Sequence, residues 1–420
     1  MLRSLLLLLL AVAVPATTST EWRDDGKNVI VVRELNRAYR SLPFSEEYDE
    51  VSDRSPVELD WSTGPNLPLA WKGGVAGSIG GDIVLAGGLW MPGRANRAYA
   101  FSPGAPAYRE IPPPPYETAY TQGACDGRSL FLVGGRSAGR RVARLDRTAQ
   151  GAWKWTDLPP LPEAEGAGRW VAASATVAGK WLFLVGGHPT GTQFETRSRP
   201  ALADYRLRLD RPGAAWETMA PFPGGARGLI AAAVARGRLY LFGGSTPDPE
   251  MRSVYTMLVR DFGLLIAPYK GVHDYRDAYR YDPDTDRWQR LRNLPLGRAG
   301  GSALAWQDRY ILLLGSGHTF SYRAGKTDRA GIVAMETHAA VSAAAGGGFE
   351  PFWTGYNDLV LCYDVETDRY ARVGVMLYGV ATSAWAGDGA HLYGFGGEPH
   401  HRFNENTENV LQVATVRELH

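Results

Sequence analysis

The sequence has little net charge, few cysteines and no long apolar run. Its 45 Lys and Arg residues nearly balance 44 Asp and Glu residues, so the formal net charge is only +1. That value gives no overall field for nucleic acid or an anionic membrane, and we expect neither partner. The two cysteines, Cys125 and Cys362, fall in different repeat units, so we expect two free thiols and no disulfide.

The first residues match the pattern of a secretory signal peptide. Arg3 precedes an apolar run over residues 5–14, and the small residue Ala16 comes just before a polar stretch. The run is too short to cross a bilayer, so we expect no transmembrane segment. We predict a signal peptide over residues 1–16 and a periplasmic or secreted protein.

Six short apolar runs along the chain each end in a glycine pair or its near equivalent. They are IVLAGG (83–88), LFLVGG (130–135), LFLVGG (182–187), LYLFGG (239–244), ILLLGSG (311–317) and LYGFGG (392–397). A second strand-like run follows each of them, then a strand with an aromatic residue and usually a proline-rich turn. Each unit therefore contains four short strands and resembles the kelch repeat, one blade of a β-propeller. Glycine is expected where the chain bends or packs closely, because a side chain would obstruct it.

The two ends of the repeat region predict how the ring closes. The sixth unit ends at LQVATV without an outer strand, whereas an orphan outer strand, DWSTGPNLP, precedes the first unit. We predict that residues 60–67 complete the sixth blade and so pair the open strand edges. The predicted fold is an all-β, six-bladed kelch-type propeller over residues 59–420. It follows a charged segment over residues 17–58, with one helix predicted at VIVVRELNRAYRSL.

Strand alternation brings two sets of residues to one face of the propeller. The residues after each glycine pair share that face with the residues at the start of each inner strand. The strand-start residue of the sixth unit is Tyr378, and four other units have a basic residue there: Lys72, Arg169, Arg227 and Arg298. A ring of cations would attract an anionic small molecule and bind its carboxylate. The alternative is that each arginine bonds loop carbonyls as a feature of the repeat.

Long insertions fall on the same face. They cover residues 188–204, 245–276 and 316–356, directly after the third, fourth and fifth glycine pairs. Loops of this length in a compact domain often cover a functional site, which predicts a covered pocket. The alternative is that exposed loops tolerate insertions.

The sixth unit differs from the others after its glycine pair. Glu398 follows directly, and His400, His401 and Arg402 come next on the same loop. A carboxylate at the mouth of a funnel can act as a general base, and an adjacent arginine can bind substrate charge. The alternative is a surface ion pair between Glu398 and Arg402. Neighbouring histidines on an extended loop diverge, so no metal site is predicted.

The stretch YNDLVLCYDVETDRYARVGVMLYGVATSAWAGDGAHLYGFGGEPHHR resembles the kelch-repeat N-acetylneuraminate epimerases and mutarotases, in particular their cyclically permuted branch. In that family an inserted loop leads into a strand pair, then a Y-G-x-A strand start, then a glycine followed by a catalytic Glu and a nearby Arg. The resemblance assigns these two roles to Glu398 and Arg402. The loop between them is shorter here than in the unpermuted enzymes.

The resemblance implies an isomerase that interconverts the α and β anomers of a sialic acid without a cofactor. Glu398 would be the base, and Arg402 would bind the substrate carboxylate together with the basic rim. Tyr378 would also face the sugar, and His400 or His401 would be the first candidate for the acid. The remaining implied ligands of the carboxylate are Arg169, Arg227 and Arg298.

Other functions of a six-bladed propeller fit the sequence less well. A sialidase would carry S-x-D-x-G-x-T-W boxes, which are missing here. A kelch-type copper oxidase would need a paired Cys and Tyr on suitable loops. The main alternative is a non-enzymatic module that binds a protein or a glycan through the same face, because the fold does not settle activity.

Overall fold

The computed structural model describes most of the propeller and two short strands before it. The described residues are 20–23, 29–32, 52, 54–91, 96–120, 122–163, 172–187, 203–259, 263–295, 297–316, 320–323, 359–377, 379–398 and 409–419. All regular elements within these ranges are strands. The described residues contain no helix that is long and apolar enough to cross a membrane. The predicted signal peptide lies outside the described residues.

The strands follow one another in blades of four, with a few additional strands between them. Before the first blade come β1 (Thr20–Arg23), β2 (Val29–Val32), β3 (Val57–Thr63) and β4 (Ala70–Lys72). The first blade region contains β5 (Val75–Ile79), β6 (Asp82–Ala86), β7 (Leu89–Met91), β8 (Ala98–Phe101) and β9 (Arg109–Ile111). The second blade contains β10 (Gln122–Cys125), β11 (Ser129–Val133), β12 (Val142–Arg147) and β13 (Trp153–Leu158). The third contains β14 (Ser174–Ala178), β15 (Trp181–Val185), β16 (Tyr205–Arg208) and β17 (Trp216–Thr218).

The second half of the ring has the same plan. The fourth blade region contains β18 (Ala231–Ala235), β19 (Arg238–Phe242), β20 (Ser245–Val259), β21 (Gly263–Asp274), β22 (Ala278–Asp282) and β23 (Arg287–Arg290). The fifth contains β24 (Ser302–Trp306), β25 (Tyr310–Leu314), β26 (Phe320–Arg323), β27 (Leu359–Asp364) and β28 (Arg369–Val375). The sixth contains β29 (Ala384–Gly387), β30 (His391–Phe395) and β31 (Leu411–Glu418).

Six antiparallel four-stranded sheets confirm the predicted propeller. Their strand orders are β5-β6-β8-β9, β10-β11-β12-β13, β14-β15-β16-β17, β18-β19-β22-β23, β24-β25-β27-β28 and β29-β30-β31-β3. Apolar clusters lie between neighbouring blades, so each blade buries both of its faces. The second strand of a blade is therefore mostly apolar, and every residue of β11 and β15 is buried. The helix predicted at VIVVRELNRAYRSL is wrong at its start, because β2 there pairs with β1.

The ring closes through β3, as predicted. This strand pairs with β31 from Val57 opposite Glu418 to Thr63 opposite Gln412. It begins three residues before the predicted start at Asp60 and ends at Thr63 instead of Leu67. Beyond the end of β3, backbone bonds to the same chain segment continue on both sides of Pro65, which itself has no N–H to donate: Gly64 donates to the Leu411 carbonyl at 2.9 Å, and Leu67 donates to the Asn409 carbonyl at 2.7 Å.

Six residues with a positive φ, one from each repeat unit, surround the propeller axis at one level. Two residues before each innermost strand, the chain adopts a positive φ of 48–70°; the six residues are Gly73, Tyr120, Ala172, Leu229, Gly300 and Thr382. Four of their N–H groups bond from blade to blade: Gly73 donates to the Thr382 carbonyl at 2.8 Å, Thr382 to the Gly300 carbonyl at 3.1 Å, Gly300 to the Leu229 carbonyl at 3.1 Å, and Leu229 to the Ala172 carbonyl at 2.8 Å. We call these six residues the axial ring. All six line an axial channel of about 490 Å³.

The glycine pairs permit close packing between blades, as predicted. Gly243 has a φ of +63°, and a Cβ there would overlap the carbonyl oxygen of Arg298 in the next blade. The following N–H, of Gly244, donates to the same carbonyl at 2.7 Å. The pair therefore reverses the chain and bonds the neighbouring blade through its backbone.

Two of the three predicted insertions contribute strands that pair with each other. The insertion after the fourth glycine pair forms the hairpin β20–β21, and β26 from the fifth blade adds to it in the order β21-β20-β26. An isolated β-bridge between Gly228 and Ser245 fixes the first residue of the hairpin next to the axial ring residue Leu229. The insertion is thus a β-ribbon and not an irregular loop over most of its length.

Candidate active site

Glu398 is fixed by backbone bonds at the seam between the sixth and first blades. Its N–H donates to the Ala381 carbonyl at 2.8 Å, and the Ala381 N–H donates back at 3.2 Å. The preceding residue, Gly397, donates its N–H to the carbonyl of Trp71 at 2.8 Å. Ala381 comes just before the axial ring residue Thr382, so these bonds hold Glu398 at the level of the axial ring.

The Glu398 carboxylate contacts a lysine and a tyrosine from two other parts of the ring. The Lys72 Nζ lies 2.7 Å from Glu398 Oε1, and the Tyr120 hydroxyl donates to the same oxygen at 2.9 Å. The Lys72 side chain is 8% exposed and the Glu398 side chain 22% exposed. An ammonium this buried requires an anionic partner, which Glu398 supplies.

These three side chains form one cluster beside the axial ring. Lys72 ends β4 beside the first blade, Tyr120 lies in the linker to the second, and Glu398 follows β30 in the sixth. Both contacts fall on Oε1, and Oε2 takes part in neither. The cluster therefore combines a partly exposed proton acceptor with a hydroxyl that can donate a proton.

Arg227 and Arg298 lie on the same face as Glu398 but are each only 1% exposed. Arg227 donates to the Gly243 carbonyl at 3.1 Å, forms an ion pair with Asp277, and stacks over the ring of Tyr275. Arg298 donates to the carbonyls of Gly315 and Leu359.

These contacts follow a repeat. At the position of these arginines, two residues before the axial ring, Trp71 donates to the Gly87 carbonyl and Thr118 to the Gly134 carbonyl. The described contacts of Arg227 and Arg298 are thus those of the alternative reading, in which the arginine bonds loop carbonyls. A substrate-binding role for either one stays a prediction.

Lys72 does not belong to the same set of positions, and the grouping made from the sequence is wrong for this residue. It comes directly before the axial ring residue Gly73, whereas Arg227 and Arg298 come two residues before Leu229 and Gly300. A shift of one residue in extended backbone turns a side chain to the other side. Lys72 therefore reaches Glu398, while the arginines point into the loops.

Five other predicted site residues lie outside the described residues. They are Arg169, Tyr378, His400, His401 and Arg402. Their assignments stay predictions. The sequence pattern did not point to Tyr120, because the repeat units correspond to one another most clearly at their glycines and basic residues. The signal that indicates Tyr120 is its position two residues before the innermost strand β10.

Fold and site together define a six-bladed kelch-type propeller with a carboxylate, an ammonium and a phenol clustered beside its axial ring. Residues 198–398 match the family model described as N-acetylneuraminate epimerase, and that match ends at Glu398.

Curated relatives carry the same name. An N-acetylneuraminate epimerase of Yersinia pestis (strain Pestoides F) is 30% identical over 182 residues, which are 43% of this chain and 42% of the relative. One of Yersinia enterocolitica is 30% identical over 186 residues, with the same shares. One of Haemophilus influenzae (strain PittEE) is 33% identical over 115 residues, 27% of this chain and 25% of the relative.

The alignments with the two Yersinia proteins span 42% of those relatives' length. Over the regions that they cover, the family model and the curated relatives support the resemblance to the N-acetylneuraminate epimerases that the sequence motifs indicated. The cyclic permutation stays a prediction.

Proposed function

We propose that this protein is a sugar-acid mutarotase that interconverts the α and β anomers of N-acetylneuraminate. The observation that carries the proposal is the partly exposed Glu398 carboxylate, held beside the axial ring by Lys72 and Tyr120. The names of the relatives support the substrate class. Residues 1–16 support export to the periplasm or beyond.

The reaction requires two proton transfers and no redox step. Glu398 removes the proton of the anomeric hydroxyl while an acid protonates the ring oxygen, and the bond from the anomeric carbon to the ring oxygen breaks. The open keto form rotates and closes on its other face. One positioned base and one acid contribute about 10²–10⁴-fold in rate, which suffices for a reaction that already proceeds in water.

Arg402 and Arg169 are proposed to bind the C1 carboxylate of the substrate. Both follow the pattern of the sequence, Arg402 on the loop of Glu398 and Arg169 at a strand start. A guanidinium is suited to this role because it bonds a carboxylate with two parallel N–H groups.

Replacing Glu398 tests the proposal. Glu398→Gln should leave the affinity for N-acetylneuraminate nearly unchanged and slow anomer exchange by about 10²-fold or more, because a base acts in the transition state. Exchange NMR on the purified protein measures the rate, and titration calorimetry measures the affinity.

Arg402→Ala is the matched comparison, since it removes charge from the same loop. It should weaken binding by about 2–5 kcal/mol if the guanidinium is a desolvated partner of the carboxylate. If Glu398→Gln exchanges anomers at the wild-type rate, Glu398 is not the base; if the wild-type protein itself does not accelerate exchange, the non-enzymatic binding module becomes the better assignment. A module that binds proteins should also show no heat with free N-acetylneuraminate.

A further inference from the structure

The fold holds Tyr120 at one fixed place beside Glu398. As a member of the axial ring it has a φ of 48°, which bulky side chains rarely adopt. All six ring residues share a positive φ, so the blade-to-blade geometry imposes this conformation and Tyr120 itself does not. The backbone conformation at Tyr120, and with it the direction in which the side chain leaves the chain, is therefore set by the axial ring as a whole.

The phenol of Tyr120 is well placed for proton transfer. Its hydroxyl lies 2.9 Å from Glu398 Oε1 and donates to it, and Tyr120 itself lines the axial channel. A proton donor adjacent to a carboxylate base suits a substrate in which the oxygen that loses a proton and the oxygen that gains one are attached to the same carbon. In the anomeric centre of a sugar acid, the hydroxyl and the ring oxygen have this arrangement.

We propose that Tyr120 is the acid that protonates the ring oxygen of the sugar acid in the reaction that Glu398 initiates. This inference rests on the proposed mutarotase function and adds a residue that the sequence pattern did not suggest. Among the described residues, Tyr120 is the proton-donating side chain that contacts Glu398 in addition to Lys72.

The proton transfers balance without another reactant. Glu398 takes the anomeric proton, the electrons of that O–H bond form the carbonyl, and the ring C–O bond breaks toward the ring oxygen, which takes the phenol proton. When the ring closes on the other face, the Tyr120 phenolate removes the proton of the attacking hydroxyl. Glu398 then returns its proton to the carbonyl oxygen, so both residues end as they began.

Lys72 has a positioning role in this scheme. Its ammonium bonds the same carboxylate oxygen as Tyr120, so it holds Glu398 in place and offsets the negative charge of the transient phenolate. Oriented charges of this kind stabilise charge that develops during reaction.

Tyr120→Phe tests the proposal, because it removes the hydroxyl and keeps the ring. We expect exchange of N-acetylneuraminate anomers to slow by about 10²-fold or more, with the dissociation constant changed less than about fivefold. Tyr116→Phe is the matched control: it removes a buried hydroxyl that donates to the Leu132 carbonyl, and it should exchange at the wild-type rate. Circular dichroism melting shows whether each variant is folded.

Replacing Tyr120 with a fluorinated tyrosine distinguishes a side chain that donates a proton from one that only fills space. Its phenol is more acidic, so a proton donor should raise the exchange rate at a pH where it stays protonated, following Brønsted behaviour. A wild-type rate for Tyr120→Phe, with Glu398→Gln inactive, would overturn the role of Tyr120 and leave the mutarotase function standing. A wild-type protein that does not accelerate exchange at all would overturn both.

Discussion

Lys72 and Arg227 show how the register of a single residue decides what a basic side chain does. Arg227 presents a planar fork to the Gly243 carbonyl and to Asp277, which uses several of its N–H donors. Lys72, one residue further along its repeat unit, presents a single ammonium to Glu398. Arg227 therefore stabilises the repeat, whereas Lys72 forms an ion pair with Glu398, the candidate base.

Asp82 is another single residue with a defined electrostatic role, because its carboxylate forms ion pairs that join two blades. It accepts bonds from Ser102 at 2.5 Å and Arg109 at 2.8 Å, and Arg147 of the second blade lies 3.3 Å away. Burial alone would raise the pKa of Asp82, but the bonds from Ser102 and Arg109 and the two positive charges outweigh it and hold the pKa below its usual value.

Asp82→Asn should therefore reduce stability in a pH-dependent way. A lowered pKa in the folded state gives stability that is present above the unfolded value of about 3.9 and is lost as pH falls through the folded value. We expect the variant to lose about 1–3 kcal/mol at pH 7, with the difference from wild type shrinking below pH 4. Urea unfolding at pH 7, 5 and 3 measures it.

Asp60→Asn is the control for this variant. Asp60 lies 3.8 Å from Arg417 with both side chains mostly exposed, so it should change stability by less than about 1 kcal/mol. A constant difference between Asp82→Asn and wild type from pH 7 to pH 3 would contradict the assigned ion pair.

At the scale of elements, neighbouring blades are joined by aromatic side chains of their outer strands. The indole N–H groups of Trp155, Trp216 and Trp288 each donate to a carbonyl just after the outer strand of the preceding blade, at 2.8–2.9 Å. Tyr370 does the same to the Arg292 carbonyl at 3.0 Å. In these four outer strands, the aromatic residue of the repeat thus has a bonding partner in the preceding unit.

The glycine pair joins blades at their inner end, and one substitution isolates its contribution. Gly243→Ala should cost more than about 3 kcal/mol, because it adds a clash with the Arg298 carbonyl to the strain of a positive φ. Gly237 has a φ of +68° and open space around its Cβ position. Gly237→Ala should therefore cost only about 1–2 kcal/mol, the strain alone.

Urea unfolding of both variants measures the difference. If the two alanines destabilise the protein equally, close approach between the blades is not the reason for the glycine pair.

On the scale of the whole molecule, the repeat predicted most of the fold because every blade obeys the same periodic constraint. The glycine pairs, the apolar second strands and the orphan outer strand each follow from sequence spacing alone. Within the described cluster, the sequence predicted Glu398, which departs from the repeat, and named Lys72 only as one of the basic residues on the same face. The contacts of Glu398 with Lys72 and Tyr120 were not predictable, because the three residues meet across the closure seam and contacts between distant units leave no local pattern.

Closure of the ring can be tested by removing the strand that completes it. A variant lacking residues 1–66 would lose β3 and expose the edge of β31, whereas one lacking residues 1–51 would keep both. Val57 is buried, and Leu59 and Trp61 pack against the apolar cluster of the fifth and sixth blades. We expect the longer deletion to lose roughly 3–6 kcal/mol of stability and to self-associate through the open edge.

A peptide of residues 55–66 should restore the melting temperature of the longer deletion by adding the missing strand. The same peptide with Asp60→Pro should not, because Asp60 lies at one of the alternate positions whose N–H faces β31, as Gly64 does when it donates to the Leu411 carbonyl, so proline there removes a ladder donor. Differential scanning calorimetry and light scattering follow both effects. If the longer deletion melts like the shorter one and stays monomeric, β3 does not hold the ring closed. Rescue by the native peptide alone would instead show that the sixth blade is assembled from both ends of the repeat region.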